Sequence, residues 1–321
     1  MIDDENPFLL TDIEDKKTNE YTIEDYIKIQ KKLEDKKQKI DFYLDKLYPE
    51  GGMTTTLYEM KRRVMKGLNA KIIDLITPEK KLHKVGNGGA GNRCFVCCTA
   101  LGDNRHEYSM GILKSLEEVG YNGYFLLLNG GFPNPTGTEY KYMGVPYNFK
   151  IYMILEAANL GFTKVFWIDA ACYAVNNPDK LFDLLDNGSD SIFRYFDSNC
   201  FQPDTYKNIC FPQTIDLLNK LVNRDVTTDK TVNSIVFGLN LSSLKIQSFI
   251  EQYYEMVKLG SPFLSAFPEE IVFSTIFNKD EYKYIFNNDK IPYQYLYIHE
   301  SYINLENAKK LGYFFVQRSY I

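Results

Sequence analysis

The run Lys164-Val165-Phe166-Trp167-Ile168-Asp169-Ala170-Ala171-Cys172 decides the fold. Val165 to Ile168 is an unbroken stretch of β-branched and aromatic residues, the composition of a strand buried on both faces of a parallel sheet. Asp169 stands where the apolar run stops, and two small residues follow it. Ligands of open α/β sheets gather at the carboxyl ends of the strands, so a lone acid there is a candidate site residue. The plainer alternative is an Asp that caps a turn. Upstream, Val145-Pro146-Tyr147-Asn148-Phe149-Lys150 opens a helical pattern through Tyr152, Met153, Leu155, Glu156, Ala157 and Leu160, which Gly161 ends. Downstream, Asn177-Pro178 starts another helix, carrying Leu181, Phe182, Leu184 and Leu185.

The same alternation extends both ways. A first strand runs from Asn92 to Ala100, a helix follows through Ile112, Leu113, Leu116 and Val119, and Tyr124 to Leu128 forms the next strand. These lengths describe a right-handed βαβ unit. Later come a strand from Ser191 to Phe196, a helix from Phe211 to Val222, and a strand from Ser234 to Leu241. Gly238 interrupts that last strand, a sign of close backbone approach. A long helix ends at Gly260, and Phe267-Pro268-Glu269-Glu270 opens another. Repeated strand–helix alternation implies an α/β domain.

Ahead of it, residues 1–20 are polar and acidic and read as a disordered tail. Thr22 and Asp25 have the spacing of a helix cap. Tyr26, Leu33, Ile40 and Leu47 then recur every seven residues on a charged helix. A second helix carries Leu57, Met60, Val64, Leu68, Ile72 and Leu75 on one face. The expected organisation is a tail (1–20), a helical hairpin extension (21–85) and the α/β domain (86–321). The hairpin's narrow apolar stripe needs a partner surface: the domain itself, or a second copy in a homo-oligomer. Gly86 to Gly91 precedes a strand and lacks a Gly-Lys-Ser/Thr ending, so it reads as a linker, not a phosphate loop.

Composition narrows the function. With 321 residues, 45% of them hydrophobic, the chain can bury a large core, and a net charge of −5 argues against nucleic acid as the main partner. No apolar run approaches the ~20 residues of a membrane span. The acidic start is not a signal peptide, so the expected location is cytoplasmic. The six cysteines read as reduced thiols; Cys94 and Cys97 fall within a strand, with no second pair at zinc spacing.

The unit from Val145 to Leu185 resembles nucleotide-sugar-dependent glycosyltransferases of the GT-A fold. Those enzymes carry a Pro-Tyr-x-x-Lys helix start and a strand ending in an Asp-containing metal motif before x-x-P-x-x-L. The resemblance extends more weakly from residue 92 to 318. It implies a GT-A-like nucleotide-sugar-binding domain with a mixed central sheet. The implied reaction is transfer of a sugar from a nucleotide-sugar donor, a UDP-sugar first, to a hydroxyl of a glycan or protein. It implies donor contacts at Thr99, Ala100, Leu101 and Gly102, at Lys150, and along Trp167, Ile168, Asp169, Ala170 and Ala171, with Gly238 lining the cleft. His299 resembles the late-strand histidine that would join Asp169 on Mn2+ or Mg2+. The chain departs from the family at Asp169-Ala170-Ala171, where Asp-x-Asp is usual; the missing second acid leaves metal dependence open.

Glu269 and Glu270 match the helix start where similar enzymes place an acid facing the acceptor, although acids at a helix start also serve the macrodipole. Consecutive helix residues point about 100° apart, so one of the two is expected to face the cleft, Glu270 ahead of Glu269. Two rival readings remain: a nucleotide-sugar-binding protein without turnover, and a nucleotidyltransferase. Leu101 to Arg105 offers the latter only one Gly and one Arg for phosphates.

Overall fold

In the computed structural model, residues 6–47, 61–69, 75, 78–89, 91–99, 106–186, 190–196, 209–287 and 295–318 are described. The strands are β1 (Glu79–Val85), β2 (Arg93–Cys98), β3 (Gly123–Asn129), β4 (Lys164–Ile168), β5 (Cys172–Ala174), β6 (Ser191–Phe196), β7 (Thr231–Asn240), β8 (Tyr297–His299) and β9 (Phe315–Gln317). The helices are α1 (Ile23–Leu47), α2 (His106–Glu118), α3 (Phe149–Asn159), α4 (Asp179–Asp186), α5 (Pro212–Val222), α6 (Leu244–Leu259), α7 (Pro268–Phe277) and α8 (Leu305–Lys310).

The central sheet is mixed, in the order β1-β3-β2-β4-β7-β6. β3, β2 and β4 run parallel, while β1, β7 and β6 join antiparallel to their neighbours. A smaller sheet, β5-β9-β8, lies beside it. Within β4 the side chains alternate between two cores. Val165 and Trp167 enter the one shared with α3, α6, α7 and the N-terminal region; Phe166 and Ile168 enter the one shared with α2 and α4. Burial on both faces explains why the run carries no polar residue.

Three sequence-based expectations need correction here. First, residues 6–20 are no loose tail: Phe8 and Leu10 are buried in the main core, the Leu10 N–H donates to Lys141 O (2.8 Å), and Asn6 Nδ2 donates to Val257 O (2.8 Å). The polar composition hid two apolar anchors. Second, Glu79–Val85 is a strand of the central sheet, so the α/β domain starts before residue 86, and the Gly-rich run falls between β1 and β2 in the chain. β1 is an edge strand with mostly exposed, charged side chains, so it shows no hydrophobic alternation. Third, a β-carbon at Gly238 would lie 2.3 Å from the ring of Phe166. The close approach comes from a side chain on the neighbouring strand, not from a ligand.

The Thr22–Asp25 cap is present: the Thr22 N–H donates to Asp25 Oδ2 (2.9 Å) and the Asp25 N–H to Thr22 Oγ1 (3.2 Å). Tyr26, Leu33 and Ile40 of α1 pack into the domain's own main core. Of the expected second helix, residues 61–64 are helical, and Val64, Leu68 and Leu75 are buried. Leu57, Met60 and Ile72 lie outside the described residues, as do Ala100, Leu101 and Gly102. Among the described residues, no helix is long and apolar enough to cross a membrane.

Candidate functional site

The site forms where β4, β7, α3 and α7 meet at the carboxyl end of β4. The Asp169 N–H donates to Ile235 O (2.9 Å), prolonging the β4–β7 pairing and fixing the acid just beyond the strand. Trp167 Nε1 donates to Asp169 Oδ1 (2.7 Å). α3 is apolar nearly all round and correspondingly buried. It ends in a Schellman pair, with the Phe162 N–H on Ala157 O (3.2 Å) and the Gly161 N–H on Ala158 O (2.9 Å). Gly161 supplies the left-handed φ of +92° that this ending requires.

The first turn of α3 brings Lys150 into the floor of the site. Its ammonium donates to Ser234 O (3.0 Å) and Ser234 Oγ (2.9 Å), and lies 2.9 Å from Glu269 Oε1 and 3.2 Å from Asp169 Oδ1. Burial alone would lower its pKa, but the Asp169 and Glu269 charges outweigh that and hold it above the ordinary lysine value. Four oxygens thus surround a protonated, buried amine.

α7 points its first turn at the same place. Ser234 Oγ donates to Glu269 Oε1 (2.7 Å), and the Ser234 N–H donates to Glu270 Oε1 (3.0 Å). Burial and the neighbouring Glu269 charge push the Glu270 carboxyl up to about 7, against the Ser234 N–H and Lys150. Both acids border the cavity, which corrects the expectation that only one would. Glu269, far from being near the exposed side, is 4% exposed. The helix meets the site end-on, so two long side chains converge on Ser234 despite their angular separation.

Lys150, Trp167, Asp169, Glu269 and Glu270 bound a cavity of about 580 Å³ with Tyr147, Phe149, Asn233 and Phe267 in its walls and Arg62, Arg63 and Lys66 on its basic side. Tyr147 has a φ of +60°, a conformation that costs energy in a bulky residue and tends to collect at functional sites. Burial and the charge of Glu269 raise its phenol pKa to about 12.

Of the residues singled out in the sequence, Lys150, Trp167, Asp169, Ala170, Glu269 and Glu270 border this cavity. The other described candidates point elsewhere. Thr99 Oγ1 donates to Asn129 Oδ1 (2.8 Å), Ile168 lies in the opposite core, and the Ala171 carbonyl accepts the Arg318 N–H (2.9 Å). His299, in the smaller sheet, has Nδ1 held by the Ser301 hydroxyl (2.7 Å) and N–H (3.1 Å) and does not border the cavity. Sequence reasoning missed Ser234, Asn233, Arg62, Arg63 and Lys66. The adjacent Arg62-Arg63 pair was the one available signal for the basic side.

A divalent ion takes several oxygen ligands around an open centre. Here the Lys150 ammonium fills the centre of the Asp169–Glu269 pair, and His299 does not border the cavity, so these donors do not fit a divalent ion. Among the described residues, no group of three or more His, Cys, Asp or Glu side chains is arranged to hold a metal.

The chain matches no family model and no curated protein sequence.

Proposed function

We propose that this protein is a glycosyltransferase with a GT-A-like domain that moves a sugar from a nucleotide-sugar donor, a UDP-sugar first, to a hydroxyl of a glycan or protein. The observation that carries the reading is the convergence of Asp169, Lys150, Glu269 and Glu270 on one cavity at the carboxyl end of a central strand. A cavity there is where open α/β sheets bind ligands. Its aromatic walls suit a sugar ring and its acids suit sugar and acceptor hydroxyls. Asp169, oriented by Trp167, would accept hydrogen bonds from the donor sugar. Glu270, titrating near neutrality, has the properties of a general base. In the transfer the acceptor oxygen bonds the anomeric carbon, the bond from that carbon to the diphosphate breaks, the acceptor proton goes to Glu270, and the nucleoside diphosphate leaves.

The test is incubation of the full chain with a panel of nucleotide sugars and acceptors, with product glycoside and free nucleoside diphosphate both measured. Asp169→Asn is expected to lower turnover by ~10² or more, the scale of removing one preorganised electrostatic interaction. Donor binding without any release of nucleoside diphosphate would instead support the non-transferring, donor-binding reading, which the missing second acid of the motif favours.

A further inference from the structure

Lys150 already occupies the place among the acids that a bound cation would take. Its four oxygen neighbours lie 2.9 to 3.2 Å away, and the residue is 3% exposed. Asp169 and Glu269 therefore share one protein cation at the place a metal would take. A nucleoside diphosphate is polyanionic and still needs positive charge where it binds. The cavity supplies that charge on a different side, from residues 61–69. Arg62, Arg63 and Lys66 all border it. The Arg63 guanidinium lies 4.5 Å from the centre of the Phe267 ring, and the Lys66 ammonium 5.0 Å from that of Tyr147. Both rings are cavity walls, so these contacts hold the cations at its edge. The cavity is thus polarised, with acids around Lys150 in the floor and three cations at the rim.

We propose that the rim formed by Arg62, Arg63 and Lys66 binds the diphosphate of the donor, with Lys150 permanently in the position of the metal, so that the site works without a divalent ion. The inference rests on the transferase reading and adds to it the group that recognises the leaving diphosphate. Arginine presents a planar fork suited to phosphate oxygens, and lysine a mobile point charge. The segment that carries them belongs to the N-terminal extension, which gives that extension a role in binding besides packing.

The experiment is calorimetric titration of the full chain with inorganic pyrophosphate and with UDP, in EDTA and again in Mn2+. Both ligands are expected to bind in EDTA, with affinity unchanged by Mn2+. Arg62→Glu is expected to weaken both by at least ~10-fold, the scale of removing one charge-assisted hydrogen bond. Arg62 is exposed, so this change leaves the core intact. The Arg62→Ala/Arg63→Ala/Lys66→Ala triple variant should abolish binding, and Arg63→Lys should restore part of what Arg63→Ala loses. Binding that appears only with Mn2+, or that Arg62→Glu leaves unchanged, overturns the inference while the transferase reading stands. Failure of both ligands to bind under either condition overturns it too. Rim-dependent binding in EDTA, with no nucleotide sugar consumed by any acceptor, keeps the diphosphate site and overturns the transferase reading.

Discussion

Glu270 is a cavity residue whose ionisation the fold moves toward neutral pH. Burial and Glu269 raise its pKa; the Ser234 N–H, Lys150 and, from the helical segment 61–64, Arg63 oppose that rise, and the result is about 7 against an ordinary 4.5. Tyr297 of β8 is the further titratable group within its electrostatic reach. The sign follows from linkage: a carboxyl that binds its proton more tightly in the folded state stabilises the fold at low pH. That contribution is complete below about pH 4.5 and is lost as pH rises through about 7. Glu270→Gln removes the titration, so its melting temperature relative to the parent should rise between pH 5 and pH 8. A constant difference across that range would mean that Glu270 does not titrate there. Turnover should move the other way in the parent, rising as Glu270 loses its proton near pH 7. In the Gln variant that rise should vanish and turnover fall by ~10² or more.

At the scale of elements, β4 and β7 fix the site between them, and at Gly238 their contact leaves no room for a side chain. A methyl there would strike the Phe166 ring, which is itself packed 4.9 Å from Phe182 and 5.5 Å from Phe95, centre to centre. With no room for that ring to move aside, Gly238→Ala should cost about 1–3 kcal/mol of unfolding free energy, the range for overpacked cores. Denaturant unfolding measures this, and donor affinity should be unaffected because Gly238 does not border the cavity. Loss of affinity at unchanged stability would restore a ligand role for the glycine. Gly238 also shows the limit of sequence reading: a glycine within a strand signals close approach but does not say what approaches. β4 itself was legible because burial on both faces writes an uninterrupted apolar run. Lys150, Asp169 and the two glutamates were legible as separate candidates, since each sits at an element boundary. Their joining through Ser234 was not, because it depends on the β4–β7 register and on α7 meeting the sheet end-on. β1 was missed because an exposed charged edge strand has no periodic signature.

At the scale of the whole molecule, the N-terminal region is part of the domain's core. α1 lays Tyr26, Leu33 and Ile40 into it, and the Tyr26 and Tyr140 ring centres lie 6.1 Å apart. Residues 6–20 then tie the region across the surface. Asn134 Nδ2 donates to Lys16 O (2.8 Å), and Lys141 pairs with Asp15 (3.2 Å). The exposed ion pair adds little. The anchoring comes from Phe8 and Leu10, at 0% and 1% exposure, each contributing about 1.5–3 kcal/mol by burial. Folded domains are stable by only about 5–15 kcal/mol in total. Deleting residues 1–20 should therefore lower the melting temperature clearly and expose the apolar surface beneath Phe8, increasing aggregation. Phe8→Ala tests the same contact without shortening the chain, with an expected loss of about 3–5 kcal/mol. A deletion that melts with the parent would show that Phe8 and Leu10 do not dock in solution. The functional consequence separates this region from a passive support. The segment that brings Arg62, Arg63 and Lys66 to the cavity packs through Val64 and Leu68 into the core that also holds Phe8 and Leu10. Leu68 and Phe8 close the space beside Gly144, where an added β-carbon would meet both, three residues before the strained Tyr147. Loosening the N-terminus should thus weaken diphosphate binding as well as the fold. In Phe8→Ala, UDP affinity should fall at temperatures where the variant is still fully folded by circular dichroism. Unchanged UDP affinity under those conditions would mean that the rim is held independently of the N-terminal anchor.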